Sequence, residues 1–487
     1  MLKQFLVGAA IAATAASLSA VTVIKNSDVT LNIDGTMQGL INIEKTADLN
    51  ADTKFYTNGV LVPGTNVTVY DNTSNAINAF GKDLNRITMF MKQARLDFNG
   101  NVRSTDFRLK LAFGGEEIPS SSTSVNSILS LLDAYGNTHI IDDVLQFRYG
   151  QMLVPYGRER LVFDEDTINA DRSLNTMGFD MGRDIGLAFH GKIGLFSGAA
   201  GVFTGGGGDV PQRYLPEILG IPMMAVRLGV NNGLDKDAFT PGRGDTNGTE
   251  IKYAAYLNAT GCIGNSRIGH GSALATRYVT KASGTGLLLN ANWNPLGTTV
   301  TSATSTIFYQ VGADAAVTVP ITKDIEARAS VEANFGELRN SDVKMQLWGG
   351  VADAIVTMKT LPIPLVKNVG VGMRYSLLNT PNNAKVGTST TAASTVNTNT
   401  WTVVTGATTT SYTPIPQTLM MEFAPMVTAQ IFDVKFIFEL DIQRNALVVW
   451  EKGNGSYNLI LMPNQTTTRN FMIENPMVFR GLMQFTF

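Results

Sequence analysis

Between Gly150 and Asp184 four arginines, Arg158, Arg160, Arg172 and Arg183, stand among seven carboxylates: Glu159, Asp164, Glu165, Asp166, Asp171, Asp180 and Asp184. Fixed guanidinium groups can draw anions through a narrow passage, because they replace hydration that an ion loses there. The same groups can instead pair with neighbouring carboxylates and merely hold a loop folded. For Arg158, Arg160 and Arg172 both roles are open, whereas Arg183 beside Asp184 at a strand start reads as structural. The carboxylates Asp164, Glu165 and Asp166 carry the oxygens that Ca²⁺ prefers, but they lack the EF-hand spacing. The segment thus fits a pore constriction, an active-site loop on a soluble β protein, or a surface loop.

Other chemistry has little support. The three histidines, His139, His190 and His270, are far apart and form no HxxxH or HExxH spacing. A single cysteine, Cys262, excludes an intramolecular disulfide and any multi-cysteine metal site, and no CxxCH is present for a c-type haem. Gly205–Gly208 is not followed by Lys-Ser/Thr, so it is a flexible loop rather than a phosphate cradle. Nucleophilic hydrolysis needs Ser, His and an orienting group together, and no window suggests them. No catalytic residue, resident metal or cofactor is expected, and no enzyme activity. The net charge of −2 gives no basic field for nucleic acid.

The elements flanking the charged segment explain its setting. Before it, Leu145, Phe147 and Tyr149 alternate with Gln146, Arg148 and Gly150; after Pro155 and Gly157 break that strand, another resumes at Ile185-Gly-Leu-Ala-Phe. The same period of two recurs along the chain. Val29, Leu31, Ile33, Met37, Ile41 and Ile43 alternate with polar residues for about sixteen positions, and only Leu40 breaks the rule. Globular strands average ~5–6 residues, whereas a strand that crosses a bilayer at a tilt needs ~9–11. In this phase Arg108, Lys110 and Arg148 face one side, opposed by Asp97, Glu326 and Glu332.

The chain opens with Lys3 and an apolar run from Phe5 to Ala16, followed by small residues to Ala20, the pattern of a secretory signal over residues 1–20. No later apolar run reaches ~18 residues, so no transmembrane helix is expected. Residues 21–487 read as one domain. Short connections alternate with long ones, with exceptions such as Asn231–Thr249, as in outer-membrane barrels. The expected fold is therefore all-β, a transmembrane antiparallel barrel of 16 or 18 strands with an inward-folded constriction loop. The count of 18 includes Ser272–Lys281 and an alternating stretch at Leu287–Trp293, and residues 380–412 around Trp401 read as a long exposed loop. A closed barrel leaves no unpaired edge in lipid. The terminal Phe487, with apolar residues at alternate positions before it, resembles the signal recognised by barrel-assembly machinery.

The segment Phe147-Arg-Tyr-Gly-Gln-Met-Leu-Val-Pro-Tyr-Gly-Arg-Glu, then Asp171-Arg-Ser, Arg183-Asp-Ile-Gly, His190-Gly191 and Ala199-Ala-Gly-Val-Phe-Thr-Gly resembles the phosphate-selective porin O/P family. The match spans about 60 residues. The resemblance implies a trimer in the bacterial outer membrane, contacting its lipid, with a constriction loop and basic residues that draw small hydrophilic or anionic solutes through. The charge balance departs from that pattern: the loop is net negative where a phosphate filter needs clustered cations. A mixed-charge, weakly selective diffusion pore fits the residues better. The competing expectations are a barrel hydrolase, and a structural barrel sheathing a partner such as an electron-transfer protein.

Overall fold

The computed structural model describes residues 21–25, 28–45, 54–57, 60–61, 85–115, 129–204, 222–242, 250–266, 304–339, 344–361, 363, 365–379, 385–391, 395–397, 402–404, 408–414, 418–451, 457–459, 469–474 and 477–487. Sixteen strands form a closed antiparallel transmembrane barrel. In the first half these are β1 (Val29–Lys45), β2 (Asn85–Val102), β3 (Thr105–Gly115), β4 (Ser130–Ile141), β5 (Leu145–Leu153), β6 (Arg183–Ile193), β7 (Phe196–Phe203) and β8 (Met223–Asn231). In the second half they are β9 (Lys252–Ser266), β10 (Thr304–Pro320), β11 (Ile325–Arg339), β12 (Lys344–Met358), β13 (Val366–Asn379), β14 (Leu419–Ile431), β15 (Val434–Arg444) and β16 (Met477–Thr486).

Each strand pairs with its neighbour in sequence, and β1 closes the ring by pairing with β2 on one edge and β16 on the other. At the seam the Gly35 N–H donates to the Phe487 carbonyl at 2.8 Å, and the Phe487 N–H donates back at 2.9 Å. Just beyond it the short strand Val21–Lys25 pairs with the start of β1 and continues the row that β16 leaves. Closure satisfies the ladder groups that an open edge would expose to hydrocarbon.

The alternation sorts the side chains. Met89, Phe189, Leu257 and Val371 point outward and are each more than half exposed. Gln38, Arg95, Lys110, Asp133, Arg227, Glu332 and Arg374 point inward and are buried. An apolar outer band of this extent would be costly in water and is at home in lipid.

The strand count resolves to the lower of the two expectations. Strand β9 pairs directly with β10 from Lys252↔Thr318 to Ser266↔Thr304, which leaves no place in the wall for a strand between them. Ser272–Lys281 and Leu287–Trp293 lie outside the described residues. The Thr/Ser/Asn-rich tract at 380–412 is not wholly irregular: Lys385–Thr391 pairs with Thr408–Pro414, and Thr395–Asn397 pairs with Thr402–Val404. Its Thr residues suit paired strands. Trp401 lies outside the described residues, as do residues 1–20, where the secretory signal is expected.

Two glycines give a test of the wall's packing. A Cβ at Gly229 on β8 would sit 1.9 Å from the backbone oxygen of Ala255 on β9, so the strands must separate to admit it. At Gly39 on β1 a Cβ meets nothing within 4 Å. Gly229→Ala is expected to destabilise the barrel by about 1–3 kcal/mol, and Gly39→Ala to be neutral or slightly stabilising. Urea unfolding in lipid vesicles, followed by heat-modifiable migration, measures both.

Candidate pore constriction and lumen

The charged segment leaves the wall at the end of β5 and returns at β6. Pro155 ends the strand. Gly157 turns the chain with φ of +72°, a left-handed conformation in which a side chain would be strained; a Cβ would also lie 2.9 Å from the Glu332 carboxylate. A short helix follows, α1 (Arg158–Leu161), then a 3₁₀ turn at Asp164–Asp166, then α2 (Leu174–Phe179). Ser173 caps α2, accepting from the Thr176 N–H at 3.2 Å. The Glu159 carboxylate reaches across the loop to accept from the Ser173 N–H at 2.8 Å and the Thr176 hydroxyl at 2.6 Å.

Apolar contacts seat the loop inside the barrel. Val154, Tyr156, Leu161, Leu174 and Phe179 are buried. Ala170 packs in a cluster with Leu40 on β1, Ile437 on β15 and Leu482 on β16. These three are apolar side chains on the inward, otherwise polar face. The exception at Leu40 therefore has a physical reason: it is part of the loop's footprint on the far wall.

Charge does the rest. Arg95 on β2 donates to Asp164 at 2.5 Å and Glu165 at 3.4 Å, and Lys110 on β3 donates to Glu165 at 2.9 Å. Lys92 on β2 donates to Asp171 at 3.0 Å and to the Ala170 carbonyl at 2.6 Å. Lys435 on β15 donates to the Thr167 carbonyl. The acidic excess of the loop is thus matched by cations of the wall. Burial pushes the Asp164 carboxyl up, but the charges of Arg172 and Arg95 outweigh it and hold the group well below the usual carboxylate range. The same contest, won by Lys110 and Arg95, brings Glu165 down to about 2. Lys92 and Arg480 likewise bring Asp171 down to about 2 against its burial.

The second half of the barrel offers acceptors to the loop backbone. Glu332 on β11 accepts from the Glu159 N–H at 3.0 Å, Glu422 on β14 from the Leu174 N–H at 3.0 Å, and Glu439 on β15 from the Ala170 N–H at 3.0 Å. Arg374 on β13 donates to Glu422 at 2.8 Å and to the Asp171 carbonyl at 2.6 Å. Arg480 on β16 bonds Glu439 at 3.0 Å and Asp441 at 2.7 Å.

The candidate residues fall into two groups. Arg158, Arg160 and Arg172 are engaged within the folded loop and its supports. Arg158 makes a two-pronged pair with Asp235 at 2.8 and 2.5 Å; Arg160 holds Asp180 at 2.6 Å; Arg172 donates to Asp164, to the Glu159 carbonyl and, at 2.7 Å, to the Val162 carbonyl. Arg183 pairs with Asp133 across β6 and β4 at 2.8 Å. Arg108, Lys110 and Arg148 face a cavity of about 810 Å³ that lies along β1–β5. Each has a counter-charge: Asp97 accepts from Arg108 Nε at 2.8 Å, Glu165 serves Lys110, and Asp237 lies 3.4 Å from Arg148. The ring of Phe163 lies 4.3 Å from the Arg108 guanidinium and 5.0 Å from the Lys110 ammonium. Asp164 is turned to Arg95 and Arg172, Glu165 to Arg95 and Lys110, and the Asp166 side chain is half-buried. Sequence reasoning missed Lys92 and Arg95 as partners of the loop. Their signal was present as cations at inward positions facing an acidic insertion.

No family model matches the chain, and no curated protein matches it. Among solved structures, an anion-selective porin from Comamonas acidovorans aligns over 94% of this chain and 100% of its own at 9% identity and a TM-score of 0.49. OprB of Pseudomonas putida aligns over 94% of each chain at 9% identity, TM-score 0.46. OmpT of Vibrio cholerae aligns over 95% of this chain and 99% of its own at 10% identity, TM-score 0.44. Likenesses at this level carry no weight on function; the barrel stands on its own strand pairing.

The docking has a pH signature. Carboxyls held below their unfolded values, ~3.9 for Asp and ~4.3 for Glu, contribute stability that is fully present above those values. That contribution is lost as pH falls through the folded values, which are about 2 for Glu165 and Asp171. Hydrogen exchange across residues 158–180, corrected for its intrinsic pH dependence, is expected to stay slow from pH 7 to about pH 5 and to quicken progressively below pH ~4.3.

Proposed function

We propose that this chain is a porin of the bacterial outer membrane, a passive diffusion path for small hydrophilic solutes and ions. The observation that carries the reading is the loop at residues 154–182, folded into the lumen and fastened to both walls, beside a polar cavity of about 810 Å³. A barrel whose purpose was to sheath a partner polypeptide would gain nothing from filling its own lumen, so this second reading is not favoured. Export through a cleaved signal at residues 1–20, single-domain organisation of residues 21–487, assembly through Phe487 and a trimeric state belong to the same proposal. Short connections such as Arg103–Ser104 and Phe432–Asp433 would face the periplasm.

The selectivity we infer is weak. The arginines of the loop are taken by carboxylates and carbonyls, and Arg108, Lys110 and Arg148 on the cavity wall each stand near an acid. That arrangement lacks the uncompensated cation cluster of a phosphate filter, so a mixed-charge passage suits this lumen better than the phosphate preference implied by the family resemblance. In planar bilayers the purified, refolded protein should form ion-conducting channels. Under a salt gradient the reversal potential should fall well short of the Nernst limit for either ion. Absence of channels refutes the porin reading, and near-ideal anion selectivity refutes the weak one.

A further inference from the structure

The connection between β8 and β9 breaks the pattern of its rim. It is long where its neighbours are tight, and residues 232–242 turn into the barrel. The Asn231 side chain starts the turn, accepting from the Gly233 N–H at 2.9 Å and the Asp235 N–H at 3.1 Å. Leu234, Ala238 and Phe239 are buried. Asp235 then does two things: it accepts from the Gly242 N–H at 2.9 Å, closing the turn, and it takes both prongs of Arg158, the first residue of α1. Asp314 on β10 lies 3.8 Å from the same guanidinium. The other face of the turn meets Arg148, whose guanidinium lies 4.3 Å from the Phe239 ring and 3.4 Å from Asp237. Lys236, Asp237 and Thr240 border the 810 Å³ cavity, and Lys236 is exposed there.

We propose that this inward turn is a second selectivity element, acting from the short-turn rim. Asp235 is a positioning residue that holds α1 of the constriction loop in place. Lys236 is an exposed charge that solutes meet between the loop and that rim, with Lys192, Asp106 and Asp143 on the same cavity, and it biases the passage toward small anions. The inference rests on the porin reading, and it deepens that reading by assigning the weak bias to one side chain. It also gives a physical reason for the exceptional length of this connection: it brings Asp235 to Arg158 and Lys236 to the cavity at once.

Two arms test it. In detergent-solubilised, folded protein, Asp235→Asn should let trypsin cut at Arg158 and Arg160 roughly tenfold faster than in the wild type, the loss expected for a hydrogen-bonded charge pair. Heat-modifiable migration checks that the barrel itself remains folded. In planar bilayers, Lys236→Glu should move the reversal potential toward cations, and Lys236→Arg should restore the wild-type value. Should Lys236→Glu fold poorly, Lys236→Cys in a Cys262→Ser background can be folded first and then modified with a negatively charged thiol reagent. Unchanged cleavage in Asp235→Asn overturns the positioning role, and an unchanged reversal potential overturns the selectivity role. If the wild type forms no channels, the porin reading and the role of Lys236 both fail, while the proteolysis arm still decides the role of Asp235.

Discussion

The interior of this barrel depends on the match between an acidic loop and a cationic wall. Asp164 and Glu165 enter a lumen where Arg95 and Lys110 already face inward. Neither side would be comfortable alone. Removing one partner of a buried ion pair leaves an uncompensated charge and typically costs ~3–5 kcal/mol, although the intact pair contributes far less to net stability. The value of such a pair lies in its selectivity for one geometry. The loop has a specific place to land, and the cavity beside it acquires a defined shape.

The rest follows from that landing. The barrel supplies a rigid frame because every strand is paired with two neighbours, the first and last included. Across the lumen, Glu332, Glu422 and Glu439 accept backbone N–H groups of the loop, so one element is tied to cations on one side and carboxylates on the other. Apolar contacts around Ala170 add a footprint that excludes water from the joint. The half of the lumen around β7–β11 is largely filled, with Arg227, Gln310 and Asp314 fully buried or nearly so, while the cavity runs along β1–β5. The lumen is asymmetric, and the open side is lined by cations and acids together.

Much of the fold was legible in the sequence because a membrane barrel enforces its period of two over long strands. The phase read from Ala94, Leu96 and Phe98 against Arg95 and Asp97 is the phase of the structure. The position of the constriction loop was legible from one charged insertion between two alternating strands. The strand number was not, because an alternating stretch such as Leu287–Trp293 carries no mark of whether it belongs to the wall or to a connection; only the direct pairing of β9 with β10 decides it. The paired segments within 380–412 were hidden by a composition that serves strands and loops alike. The partners of the loop were hidden for another reason. Arg95 and Lys92 are far from residues 164–171 in the chain, and only closure of the ring brings them together. Leu40 was the clearest unread clue, since an apolar residue on the polar phase needs something apolar to cover it.

The most direct test of a lumen shaped by this docking is single-channel conductance of the Arg95→Gln/Lys110→Gln double variant beside the wild type, in the same bilayer and at neutral pH. Loss of both cations frees the Asp164 and Glu165 carboxylates from the wall, so a larger and noisier open-channel current is expected in a barrel that still folds. A folded double variant with the conductance and noise of the wild type would contradict it.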